Sequence, residues 1–204
     1  MVAAESSSTR LESAWARFDE ANDEDPRRVS FGDDEVGEEW LYGRRMSACL
    51  GAYEAEPSEA LQLAVRSQHL CRWRLPRSSH AAGRSGYLEW RRACAEMHAD
   101  LAGSILNEVG YDLDVVRRVQ QLLLKKDLRS DPEAQVLEDV ACLVFLEHYA
   151  DAFFDRLEVP KMERILLRTW RKMSPRARER ALRLELPAYA VDLLRRKADV
   201  GTVP

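Results

Sequence analysis

Glycine and proline are sparse in this chain, at 9 and 8 of 204 residues. The glycines nowhere cluster into a phosphate-cradling loop or a nucleophile elbow, and no Ser/His/Asp arrangement stands out. Cysteine is scarcer still: Cys49, Cys71, Cys94 and Cys142 lie far apart with no CxxC pair, which argues against a zinc knuckle. Each falls in an apolar helical stretch and reads as a small core residue in a reducing compartment. No apolar run approaches the roughly 20 residues of a membrane span. Residues 1–30 hold no apolar core behind a basic start. Neither a signal peptide nor a membrane partner is therefore expected, and the expected location is the cytoplasm. Strand-like alternation of useful length and internal repeats are both missing.

What remains is a chain with 46% hydrophobic and 32% charged residues, long enough for one domain with a substantial core. Its net charge of −4 hides a division. Residues 1–59 carry 15 acids and 6 bases, whereas 60–92 carry seven arginines against Glu89 alone. A local basic belt in an acidic chain points to a small anionic molecule and away from a long nucleic acid, which needs a broad basic face. The alternative is that these arginines are solvated or pair with the acidic N-terminal third.

The periodicity predicts an all-α fold, a single compact multi-helix domain over residues 11–198 behind a disordered polar tail at 1–10. Helices are expected at Leu11–Ala21 and Glu38–Tyr53, with a loop at 27–37 between them. A third follows the Pro57-Ser58 start signal and runs to about Trp73 before Pro76. Residues 76–86 read as a flexible basic loop able to cover a site. Tyr87–Glu108 is strongly amphipathic and ends at Gly110. Leu113–Lys126, a long Glu133–Leu157, Lys161–Lys172 and a final helix from Ser174-Pro175 to Lys197, broken at Pro187, complete the chain.

Three ionisable residues take places where an apolar side chain is expected. At 100° per residue, Gln62, Arg66, His69 and Trp73 share one stripe of the third helix, while Arg72 points elsewhere, toward solvent. His98 faces inward and Asp100 outward; Asp139 faces inward and His148 outward. Burying such groups costs several kcal/mol unless they are paired, hydrogen-bonded or metal-bound. His69, His98 and Asp139 would make a reasonable first shell for a divalent zinc, manganese or iron ion. The alternative is three core residues satisfied locally. Glu138 and Asp139 are not a carboxylate dyad, since adjacent helical residues diverge by about 100°.

Several stretches together resemble the domain-of-unknown-function family numbered 4202. They are Leu41-Tyr-Gly-Arg-Arg-Met-Ser47, Gln68-His-Leu-Cys-Arg-Trp73 with Pro76-Arg77, Gly86-Tyr-Leu-Glu-Trp-Arg91, His98-Ala99, Gln135 to Glu147 and Thr169-Trp-Arg-Lys-Met-Ser174. That resemblance covers nearly the whole chain after Leu11 and implies no activity. A weaker one is to the HD-domain metal-dependent phosphohydrolases, whose His, His-Asp and distant Asp bind metal. His69, His98 and Asp139 stand in that order, and the likeness implies an HD-like helical bundle. Ala99 occupies the place of the paired Asp. Lys126 ends the intervening helix where some members of that superfamily have a further His.

Two functions follow as expectations. In the first, a metal-dependent hydrolase holds its ion on His69, His98 and Asp139, with Gln135 and Lys126 as candidate catalytic residues. Arg66, Arg77 and Arg91 would neutralise a small anionic or phosphorylated substrate. In the second, a non-catalytic helical module binds an anion at a buried His/Arg site.

Overall fold

The computed structural model describes the backbone of residues 2–125, 130–154 and 157–200, and side chains apart from 2–8, 153 and 197–200. It bears out the all-α reading: α-helices dominate, with one two-stranded hairpin among the described residues. The chain divides into two compact units, Met1–Leu128 and Arg129–Pro204.

The first unit begins with α1 (Val2–Asp23). Its backbone is already helical in the stretch expected to be a disordered tail, where no Gly or Pro interrupts the Ala, Glu and Ser residues. Residues 27–37 are not a plain loop but the antiparallel hairpin β1 (Arg28–Phe31) and β2 (Asp34–Gly37). The two residues between the strands are Gly32-Asp33, with Gly32 at φ +62°, the glycine-first turn that matches strand twist. That dipeptide was the available signal; the strands are only four residues each, too short for alternation to stand out.

Next come α2 (Glu38–Tyr53), at the expected bounds, and α3 (Glu59–Ser67), capped by Ser58, whose Oγ accepts from the Leu61 amide at 3.1 Å. α3 stops at Ser67, six residues before the expected Trp73. The reason is tertiary. Asn22 on α1 takes the Cys71 amide on its Oδ1 at 2.8 Å, and Cys71 turns left-handed at φ +54°. A single 3-10 turn, Arg72–Arg74, then replaces the last helical turn. α4 (Gly83–Val109) absorbs part of the expected loop and ends at left-handed Gly110; α5 (Leu113–Leu124) packs against it. α1 touches α2, α3 and α4, so the core holding Phe18, Met46, Leu63 and Leu106 lies among these helices.

In the second unit α6 (Pro132–His148) starts at Asp131, whose Oδ1 accepts from the Glu133 and Ala134 amides. The expected helix to Leu157 is broken at Tyr149 (φ −127°), after which α7 (Ala150–Phe154) resumes; no Pro or Gly marks the break. α8 (Val159–Lys172) and α9 (Pro175–Ala181) pack on α6, and α10 (Ala188–Val200) on α8. Ser174 caps α9 as its sequence predicts, while α9 and α10 separate at 182–187. No helix of the described residues is long and apolar enough to cross a membrane.

Candidate functional site

The abrupt end of α3 decides where His69 points. Its ring lies flat on Tyr42 of α2, with centroids 4.0 Å apart and planes 12° from parallel. Its Nδ1 is 3.3 Å from Glu39 Oε2, and its Nε2 is 2.5 Å from Arg72 Nη1. A guanidinium only donates, so Nε2 is the acceptor and the imidazole proton sits on Nδ1, facing Glu39. The His98 ring, carried inward by α4, is 5.8 Å from the His69 ring. His98 is 4% exposed, and its Nε2 is buried with no hydrogen-bond partner among the described residues.

Charge around the pair is layered. Glu39, 5% exposed, accepts from Arg27 at 2.8 Å, and Arg27 forks onto the fully buried Asp25 at 3.0 and 2.7 Å. Burial raises Glu39 above the usual carboxylate range, against the lowering effect of Arg27 and Arg72. Asp25 is lowered, because its bonds with Arg27 outweigh the opposing effect of burial. His69 is held well below the ordinary imidazole value, first by burial and then by Arg72, Lys125, Arg91 and Arg27. His98 is depressed likewise, by burial, then by His69 and Arg72. Arg72 is half-buried with its guanidinium 4.9 Å from the Trp90 ring centre. The result is two neutral imidazoles in a positive potential, and the His69 side chain is 20% exposed.

A family model described as "Domain of unknown function (DUF4202)" matches residues 12–194. The chain belongs to this family. The match runs through both units of the DUF4202 chain, and no curated protein or solved structure matches it.

The remaining expected site residues of this DUF4202 protein have other work. Arg66, expected on the His69 stripe, is buried and donates through Nε and Nη2 to Asp19 at 2.8 and 2.5 Å. It is the structural partner of an acid in the N-terminal third, because the turn at 68–71 rotates His69 away from its register. Arg77 donates to the carbonyls of His80, Ala81 and Gly83 and so staples its own loop. Arg91 is exposed and adds to the potential at His69 from α4. In the second unit, Asp139 is 1% exposed, and its Oδ1 accepts from the Ser174 amide at 2.8 Å and from Gln135 Nε2 at 2.9 Å. Gln135 also donates to Lys172 O, so both residues secure the α8–α9 junction. The neighbouring Glu138 is buried as well, but bonds Lys172 Nζ at 2.9 Å, so the two carboxylates do not act as a dyad. Lys126 lies outside the described residues.

Among the described residues the donor set does not fit a divalent metal: no group of three or more His, Cys, Asp or Glu side chains is arranged to hold one. The four cysteines are buried and unpaired in disulfides, and burial raises Cys71 and Cys94 above the usual thiol range. Sequence reasoning missed Glu39, Arg27 and Tyr42 and sent Arg72 to solvent. Arg72 had a signal, its place three residues after His69, but a continuous helix was assumed there. Glu39 had none beyond its nearness to Tyr42 in the stretch that resembles the family.

Proposed function

We propose that this DUF4202 protein is a helical binding module for a small phosphate-like anion at Arg72, His69 and His98. The observation that carries the reading is geometric: Arg72 Nη1 stands 2.5 Å from His69 Nε2, and the His98 ring lies 5.8 Å from the His69 ring with its buried Nε2 unpartnered among the described residues. The cations around the two rings put them in a positive potential. An anion beside Arg72 would offset that potential, restore the proton affinity of His69 and draw the guanidinium off Nε2. Arg72 supplies a planar fork suited to phosphate oxygens, and Arg91 and Lys125 add long-range attraction. Titrating the protein with inorganic phosphate by calorimetry tests this. Binding should weaken as salt rises, and Arg72→Ala should reduce affinity at least about tenfold, the scale of one charge-assisted contact. Undetectable phosphate binding at low salt would overturn it.

One feature favours a hydrolytic second reading, although without metal. Glu39 behind Nδ1 leaves His69 Nε2 as the acceptor, the arrangement of a general base. Once the anion withdraws Arg72, that nitrogen could take a proton from water. Turnover of p-nitrophenyl phosphate that survives a chelator and is lost in His69→Gln would support this version. Turnover that needs added metal would return the metal-dependent hydrolase of the HD resemblance.

A further inference from the structure

Residues 159–183 hold nine Lys or Arg against only Glu163 and Glu179. The structure shows how this excess is disposed on α8. Met162, Leu166 and Trp170, four residues apart, form its buried stripe. At about 100° per residue, Lys161, Arg164, Arg168, Arg171 and Lys172 fall within an arc of roughly 100° on the opposite side. All five are exposed. Lys172 reaches back to Glu138 at 2.9 Å, while Lys161, Arg164, Arg168 and Arg171 form no ion pair among the described residues. Four cations therefore stand in one row from Lys161 to Arg171, ten steps along the helix and about 15 Å at 1.5 Å per residue.

We infer that this face of α8 is a docking ridge for the phosphate backbone of a nucleic-acid duplex, bound without sequence preference. Charge complementarity selects the partner. Three of the four free cations are arginines, whose forks suit phosphate oxygens, and a straight helical row can follow one strand of phosphates. No Asn or Gln stands in the arc to read base edges. The aromatic residue of this helix, Trp170, is buried on the far side, so the ridge offers no platform for stacking single-stranded bases. An anionic membrane fits less well, because the arc carries no exposed apolar side chain to insert. The acidic balance of the whole chain is no obstacle, since screening confines each charge to its neighbourhood. A local belt at 60–92 in an acidic chain points away from nucleic acid, but the row on α8 lies outside that belt.

The test is fluorescence anisotropy of a short labelled duplex with the full chain across a salt series, beside flotation with phosphatidylserine-containing vesicles. Four phosphate contacts predict a log–log salt slope of about −3 to −4. The double change Arg164→Glu and Arg168→Glu should weaken binding more than about tenfold, with the helical circular-dichroism signal intact. Arg168→Gln with Arg171→Gln, which neutralises without reversing charge, should flatten the slope by about 2. Arg72→Ala should leave duplex binding as it was, which separates this ridge from the small-anion site. Three results would overturn the inference. They are no saturable duplex binding at the lowest salt, duplex binding indifferent to both double changes, and vesicle binding that depends on the ridge while duplex binding does not.

Discussion

His98 is buried and His69 half-buried, both in a positive potential, so each sheds its proton more readily than a free imidazole. In the unfolded chain both titrate near pH 6.5. Below that pH the unfolded state binds more protons than the folded one, so the stability these residues contribute is fully present above about pH 6.5 and is lost as pH falls toward the depressed folded values. Glu39 runs the other way. Its raised value means that its contribution declines as pH rises from the usual carboxylate range through that value. Urea melts at a series of pH values should therefore show stability falling below about pH 6.5. His98→Leu should remove part of that fall. The variant should also be as stable as the parent or more so at neutral pH, by up to about 1 kcal/mol, because it removes a buried nitrogen that has no partner. A leucine variant that unfolds would mean that the imidazole packs in a way no apolar group can imitate.

Elements were legible wherever their signals are local. Ser58, Ser174 and Gly110 mark helix ends in the sequence and do so in the fold. The inward turn of His98 and Asp139 and the outward turn of Asp100 follow from helical period alone. The end of α3 was not legible, since it depends on Asn22, 49 residues away, capturing the Cys71 amide. That one bond separates Arg66 from His69 and brings Arg72 to the site. Two predictions belong at this scale. Removing either partner of the Arg66–Asp19 pair leaves the other charge largely buried. Asp19→Ala should then cost about 3 kcal/mol in urea unfolding while the folded protein keeps its phosphate affinity. Asp139→Ala frees the Ser174 amide at the start of α9 and should cost about 1–3 kcal/mol, again with phosphate affinity unchanged. A loss of phosphate binding in Asp139→Ala without loss of stability would assign Asp139 to the site after all.

Across the whole molecule, composition and period were enough for the all-α class, because fold class depends on patterning summed over many residues. The candidate site was only half legible. Its imidazoles stand out as polar residues on apolar faces, but the groups that tune them are Glu39 at the start of α2, Arg27 at the hairpin and Arg72 in a tertiary-imposed turn. Charge followed the same division. The belt at 60–92 was visible as a count, yet its arginines are used differently: Arg66 in an ion pair, Arg77 in a loop staple, Arg72 at the site. The central claim is that this last arrangement binds an anion through its effect on the imidazoles. Its most direct test is a phosphate titration followed by the ring resonances of the histidines in NMR at about pH 6.5, with His69→Gln and His98→Leu assigning the signals. The account predicts that the His69 and His98 signals start at neutral-imidazole positions. They should move toward the protonated form as phosphate binds, and should fail to move in Arg72→Ala. Signals that stay fixed while phosphate binds elsewhere, or that respond only when a divalent metal is added, would contradict it.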